Sequence, residues 1–354
     1  MAHTGTERSS LTNIVQLGLE TTPGDSVQPT KRLTSVGIEP TVNAEIADFR
    51  PAGSKYRSIT ALGKEWVEAS VSGQPTYSEL MYPMSSVLSK PTTTGNGTST
   101  PYIHTFVSSS VAADDIATYS VQHGDNTNAG FRESFVNGIF TELSLQFSRN
   151  GIDMSGSMIG KDMRSTGNDD ALHETWNTSP TLLPLVPLLP TEIDVYLSDT
   201  YYEDPDDATK LDRVTGASWS LGSRFNPMWV LDSTLPSFLT HIEAEPSLSA
   251  GISVEADDFG MGLFTTMRSG DEKFLKIVAI SATDANTSGT IFKQSMMIDM
   301  PVRIANTQGF SDEDGLFAIG WDFLGTTTGD GNWAAGPGAG NAVNITLINK
   351  QATL

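Results

Sequence analysis

The chain has 354 residues, with 21 Lys and Arg against 42 Asp and Glu, a formal net charge of −21 and a pI near 4.4. It has no cysteine, which excludes disulfides, Cys-ligated zinc and thiol catalysis, and its acidity argues against an ordinary nucleic-acid binder, which needs cations to release counterions. The length suits two domains or one with a large insertion; no stretch reaches the ~20 apolar residues of a membrane helix and residues 1–12 lack the apolar core of a signal peptide, so a soluble protein of a reducing compartment, without a membrane partner, is expected.

Residues 1–26 read as an arm without a core, ending at Thr22-Pro23-Gly24-Asp25. A strand follows over 36–48, where Val42, Ala44 and Ile46 alternate with Asn43, Glu45 and Ala47. Residues 49–63 read as a loop. Arg50, Lys55 and Arg57, with Lys64 at its end, form the densest basic cluster of an acidic chain. The next strand is 65–72. A helix is expected over 77–88, because Leu80, Met84, Val87 and Leu88 recur at helical spacing; Pro83 is expected to split or shorten it.

Strands are then expected near 102–107, 116–123, 132–147 and 152–159. Residues 161–190, polar and then broken by prolines, read as a linker between two β-rich halves. The second half has strands near 192–197, 214–225, 238–255, 274–282, 292–304, 315–324 and 343–348. An acidic turn lies at 203–207 and a Gly-rich loop at 325–340.

Two internal similarities hint at duplication. Val136-Asn137-Gly138, Leu143 and Phe147 align with Val214-Thr215-Gly216, Leu221 and Phe225. Ile38-Glu39-Pro40 through Gly63-Lys64-Glu65-Trp66 to Gly73 resembles Glu245-Pro246 through Gly270-Asp271-Glu272-Lys273-Phe274 to Ala282. The offsets differ, so a duplication would have been rearranged; chance alternation in unrelated strands is the competing explanation.

Chemistry is sparse. There is no G-x-S-x-G elbow, H-E-x-x-H or P-loop motif. His3, His104, His123, His173 and His241 are scattered without ligand spacing. The acidic turns at 203–207 and 312–315 lack the oxygen-ligand spacing of a calcium loop. No catalytic residue, metal or cofactor is expected, and the chain reads as a non-enzyme.

Several segments, in order, resemble the major tail tube protein of siphophages, the long-tailed non-contractile phages, in the larger form found in phages of actinobacteria. They are Gly18-Leu19-Glu20-Thr21-Thr22-Pro23-Gly24, Lys31-Arg32-Leu33, Gly53-Ser54-Lys55-Tyr56-Arg57, Gly63-Lys64-Glu65-Trp66-Val67-Glu68 and Gly73-Gln74-Pro75-Thr76-Tyr77-Ser78-Glu79-Leu80. Further on come His104-Thr105-Phe106, the run from Glu142 to Arg149, Asp194-Val195-Tyr196, Ile298-Asp299-Met300 and the run from Asp312 to Trp321. Residues 162–179 and 326–340 match nothing in this pattern.

The resemblance implies a mainly β chain: a tail-tube β-sandwich or barrel flanked by a helix, with two tube-like halves. The implied layout is an N-terminal arm (1–32), a first tube-like domain (33–160), a linker (161–190) and a second domain (191–354). It implies rings of this chain stacked into a tube, assembled in the host cytoplasm and carried in the virion tail. Tape measure, tail tip and tail terminator proteins would be partners, and DNA would pass through without specific binding. The loop with Arg50, Lys55, Tyr56, Arg57 and Lys64 would reach the adjacent ring. Glu39, Glu45, Glu68, Glu142 and Asp153 would face an acidic lumen that repels phosphates. Two tube domains per chain would favour a trimer with pseudo-sixfold symmetry over a hexamer. The alternative is a carbohydrate- or receptor-binding β module of a tail tip, with Trp66, Trp219, Trp229, Trp321 and Trp333 as stacking surfaces.

Overall fold

The computed structural model describes residues 12–126, 131–166, 171–202, 210–232, 235–313, 315–327 and 341–354. The chain is mainly β. In order it forms β1 (Asn13–Leu19), β2 (Lys31–Arg32), β3 (Val36–Phe49), β4 (Ile59–Gly73), helix α1 (Met81–Val87), β5 (Thr92–Thr94), β6 (Tyr102–Ser109), β7 (Tyr119–Asp125), β8 (Arg132–Ser148) and β9 (Gly151–Ser165). It continues with β10 (Thr181–Leu182), β11 (Ile193–Ser198), β12 (Val214–Gly222), β13 (Phe225–Met228), β14 (Thr240–Glu243) and β15 (Ser247–Glu255). Helix α2 (Asp258–Ser269), β16 (Lys273–Asp284), β17 (Lys293–Glu313), β18 (Leu316–Gly325) and β19 (Asn341–Asn349) complete it.

Eight strands form one antiparallel layer in the order β3-β4-β9-β8-β12-β15-β18-β17. The order contains a repetition. In β3, β4, β8, β9 the first strand pairs with the second, the second with the fourth, and the fourth with the third. In β12, β15, β17, β18 the pairing is the same. Each second strand is followed along the chain by a helix, α1 or α2. The N-terminal part of each third strand bends into an outer layer. There β8 pairs with β7 and β7 with β1, while β17 pairs with β16 and β16 with β11. Thus β1, β3, β4, α1, β7, β8, β9 recur in chain order as β11, β12, β15, α2, β16, β17, β18.

This repetition corrects both sequence alignments. Residues 136–147 lie on the third strand of one unit and 214–222 on the first strand of the other. Leu143 and Leu221, matched as equivalents, are direct antiparallel partners; they share an alternation because they line one core. The Ile38 alignment fails too, since the counterpart of β3 and β4 is β12 and β15, not the segment running through α2 into β16.

The core follows from period-two alternation. Val67, Ala69 and Val71 of β4, Leu143, Leu145 and Phe147 of β8, and Ala217, Trp219 and Leu221 of β12 all point inward, and one apolar cluster spans both halves. The residues between them point to the opposite face.

Several elements differ from expectation. The arm contains β1, whose Ile14, Val15 and Leu17 are buried against β7; residues 1–11 lie outside the described residues. The expected loop at 49–63 shortens to a turn at 50–58, because β3 and β4 stay paired out to Phe49 and Ile59. The expected linker is laid onto the first half: Trp176, Leu183 and Leu188 are buried, and Thr181 and Leu182 run parallel to β2. Helix α1 starts four residues late, which places Pro83 in its first turn, where the missing N–H has no intrahelical partner to lose. Helix α2 is unexpected. Asp257 caps it by accepting from Gly260 N at 2.9 Å, and Gly270 ends it at φ +71°.

Two buried carboxylates fix the first half without a cation. Glu20 accepts from Gly24 N (2.8 Å), Thr118 Oγ1 (2.9 Å), Ser120 Oγ (3.0 Å) and Asn137 N (2.8 Å). Glu79 accepts from Thr34 N (2.5 Å), Ser35 N (2.9 Å) and Thr76 Oγ1 (2.9 Å), and from the Ser35 hydroxyl. It thereby ties the entry to β3 onto the segment leading into α1. Burial pushes the Glu79 carboxyl up, but the hydrogen bonds from Ser35, Thr34 and Thr76 outweigh it and hold the pKa below its ordinary 4.5.

Burial pushes His104 below its ordinary 6.5, opposed by contacts with Asn349 and Gln351. Its Nε2 lies 2.8 Å from the Gln351 carbonyl and its Nδ1 2.8 Å from the Thr93 hydroxyl, an arrangement met by a neutral ring that donates from Nε2 and accepts at Nδ1. His241 is also pushed down by burial, opposed by Glu243. All three groups have folded-state pKa values below their unfolded ones. Each therefore contributes stability above the unfolded value and loses it as pH falls. Unfolding free energy is expected to decline as pH drops through 6.5 and to decline further below 4.5. Denaturant titrations between pH 8 and 4 check this, and His104→Gln should flatten the upper limb.

Gly73 closes β4 where the backbones meet. A Cβ there would sit 2.2 Å from the Ser35 carbonyl oxygen and 2.9 Å from Val36 Cα. Gly73→Ala is expected to cost about 1–3 kcal/mol, read as a lowered melting temperature.

Candidate functional site: an exposed sheet face with two open edges

The eight-stranded layer buries one face and exposes the other. Along the exposed face, Ser72, Ser155, Ser144, Ser220 and Ser249 are successive cross-strand neighbours on five adjacent strands. The hydroxyls of Ser220 and Ser249 are 2.7 Å apart. A parallel row runs Glu39, Ser70, Ser157, Glu142, with the Ser157 hydroxyl donating to Glu142 at 2.5 Å. A third runs Asp153, Gln146, Ser218, Gly251, Asp322. The centre of this face is short, hydroxylated and free of cations.

Glu39, Glu45, Glu68, Glu142 and Asp153 are all exposed and all project from this face. Glu45 lies opposite Lys64, 3.2 Å away in an ion pair. The serine rows were not expected, although their signal is in the chain: Ser144-Leu145, Ser218-Trp219-Ser220-Leu221 and Ser247-Leu248-Ser249-Ala250 alternate hydroxyl and apolar residues.

The basic cluster divides. Arg50, Lys55, Tyr56 and Arg57 occupy the turn at the tip of the β3–β4 hairpin, where Tyr56 is 80% exposed. Arg57 pairs with Asp48, and Arg50 Nε donates to the Ser54 carbonyl at 2.6 Å. Lys64 is not part of that tip. It sits on β4, near Glu45 and 5.2 Å above the Trp229 ring. At the opposite end of the layer, the tip of the β17–β18 hairpin carries Phe310 and Phe317, stacked at 4.7 Å and both largely exposed.

No family model matches the chain, and no curated protein matches it.

The tryptophans are unevenly placed. Trp219 and Trp321 are fully buried and Trp176 is buried; Trp333 lies outside the described residues. Trp66 and Trp229 meet edge to face at 5.9 Å in a groove of about 470 Å³. Glu68, Glu142 and Phe225 also line it. Among the described residues no group of three or more His, Asp or Glu side chains is arranged to hold a metal.

The two outer strands of the layer are open. Among the described residues β3 pairs only with β4, and residues 309–313 of β17 pair only with β18. Gly37, Glu39, Thr41 and residues 309–312 are exposed. Unpaired strand edges of this length are templates for another strand.

Proposed function

We propose that this chain is a structural subunit of a siphophage tail tube, with tube-like halves that polymerise as stacked rings. The observation that carries the proposal is the eight-stranded layer: two units of one topology, a hydroxylated face that bears carboxylates and no cation at its centre, and an open edge on each side. Adding copies edge to edge satisfies both edges and closes a ring. With two four-stranded units per chain, three copies give pseudo-sixfold symmetry, which favours a trimer over a hexamer. The exposed face would line the lumen. A surface without central cations offers DNA phosphates nothing to release counterions against, so the genome slides through. The Arg50–Arg57 tip would project toward the next ring, where an acidic neighbour attracts it. Tape measure, tip and terminator proteins would set length and ends, with assembly in the host cytoplasm.

Electron microscopy of the purified protein, alone and with tape measure and tip proteins, tests this: tubes support it, and a persistent monomer opposes it. A second reading, a carbohydrate-binding tail-tip module, draws on the groove at Trp66 and Trp229. Lys64 already covers one face of Trp229, which weakens it, and specific glycan-array binding lost in Trp66→Ala would favour it.

A further inference from the structure

The repetition inside the chain allows the seam between copies to be written residue by residue. Within the chain, the two units join where the third strand of one meets the first strand of the other. Gly216 of β12 faces Ser148 of β8, Ser218 faces Gln146, and Leu221 faces Leu143. The free edges left over are the same two kinds of strand, a first strand (β3) and a third strand (β17).

The two units correspond in pairing register. The β8–β9 and β17–β18 hairpins begin alike at their turns, with Ser148 facing Gly151 and Glu313 facing Leu316. Counting from those turns, Met154 of β9 corresponds to Ile319 of β18. Their partners Gly73 and Val254 then correspond on the second strands. The next pairs, Gly37 with Ser72 and Gly216 with Ser253, equate Gly37 with Gly216. Burial agrees with this correspondence: Ile38 and Ala217, Val71 and Ile252, and Met154 and Ile319 all point into the core.

We propose that the seam between two copies reproduces the internal one, with residues 309–313 of β17 antiparallel to residues 37–41 of β3 in a second copy. Gly37 then faces Glu313, Glu39 faces Ser311, Pro40 faces Phe310 and Thr41 faces Gly309. Glu39 and Ser311 lie on the exposed face, and Pro40 and Phe310 on the other. The contact is head to tail, so each copy offers one edge of each kind and the series closes into a ring. Residues 306–308 are left out, because register shifts between Ile304 and Asn306 and between Thr307 and Gly309 break the correspondence there. The inference rests on the self-assembly proposed above.

Cysteine cross-linking tests it, and the absence of native cysteine makes the result unambiguous. Directly opposed residues of an antiparallel pair lie within disulfide reach. Glu39→Cys with Ser311→Cys, oxidised after assembly, should give a non-reducing ladder of covalent oligomers that stops at the copy number of one ring. Each single variant should stay monomeric on the same gel. Pro40→Cys with Phe310→Cys, facing the other side, should behave alike and guards against local disruption at Glu39. If the unmodified protein forms tubes but neither pair cross-links, or a single Glu39→Cys variant forms covalent dimers, the seam is wrong while the tube reading stands. Failure of the unmodified protein to assemble with its tail partners overturns both.

Discussion

Replacing Arg224 by alanine is expected to lower the unfolding free energy by about 3–5 kcal/mol, among the largest effects of any single substitution in this chain. The guanidinium is almost completely buried and uses three directions at once. Nη2 meets Asp114 at 2.6 Å, Nη1 meets Glu243 at 2.6 Å, and Nε donates to the Val87 carbonyl at 2.9 Å. Asp114 and Val87 belong to the first half of the chain, and Arg224 and Glu243 to the second. Truncation leaves the buried Asp114 carboxylate and the end of α1 without their partner. Arg224→Lys keeps the charge but not the planar fork, and should recover only part of the loss. Denaturant unfolding of the three proteins checks the order. Equal stability for alanine and arginine would show that the two halves are joined by the sheet and core alone.

Placing lysine at both Ser144 and Ser220 is expected to leave the fold intact and to block function. These residues are direct cross-strand neighbours on the exposed face, so the change adds two adjacent cations per copy among serine rows that carry none. In a stacked tube that pair recurs in every ring. Each cation displaces counterions when it meets a phosphate. Assembled tubes should gain salt-dependent affinity for duplex DNA, and phage complemented with the variant should lose infectivity by at least about tenfold. Ser144→Met with Ser220→Met, uncharged and unbranched like the lysine stem, should do neither. Normal infectivity of the lysine variant would remove the lumen from this face.

Much of the fold was legible because long strands with one buried face announce themselves. The alternations around Val42 and through 132–147 became β3 and β8, and most later strands appear within a few residues of expectation. Helix α2 was obscured by Gly260 and Gly262, whose low propensity hides the apolar spacing of Phe259, Leu263, Phe264 and Met267. Strand β1 escaped because its seven residues are buried mainly through pairing with the distant β7, along its whole length, and with the short β2. Pairing between strands is a tertiary choice, which is why Leu143 and Leu221 looked like copies of one another while being partners.

The candidate site divides the same way. The five carboxylates share a face because strand period is local, so residue type and parity were enough to bring them together. Lys64 adjoins the Arg50–Arg57 tip in sequence, yet the extended strand β4 carries it down the hairpin to face Glu45. The serine rows and the open edges of β3 and β17 emerge only once eight strands are set in order.

The central claim is that two repeated units in one chain build a ring through their free edges, with the serine-lined face inward. Imaging assembled protein at a resolution that identifies side chains tests it most directly. The expected image shows tubes with three chains per ring, eight strands from each, and Ser72, Ser155, Ser144, Ser220 and Ser249 on the lumen wall. Six equivalent chains per ring, or a lumen lined by any other face, would contradict it.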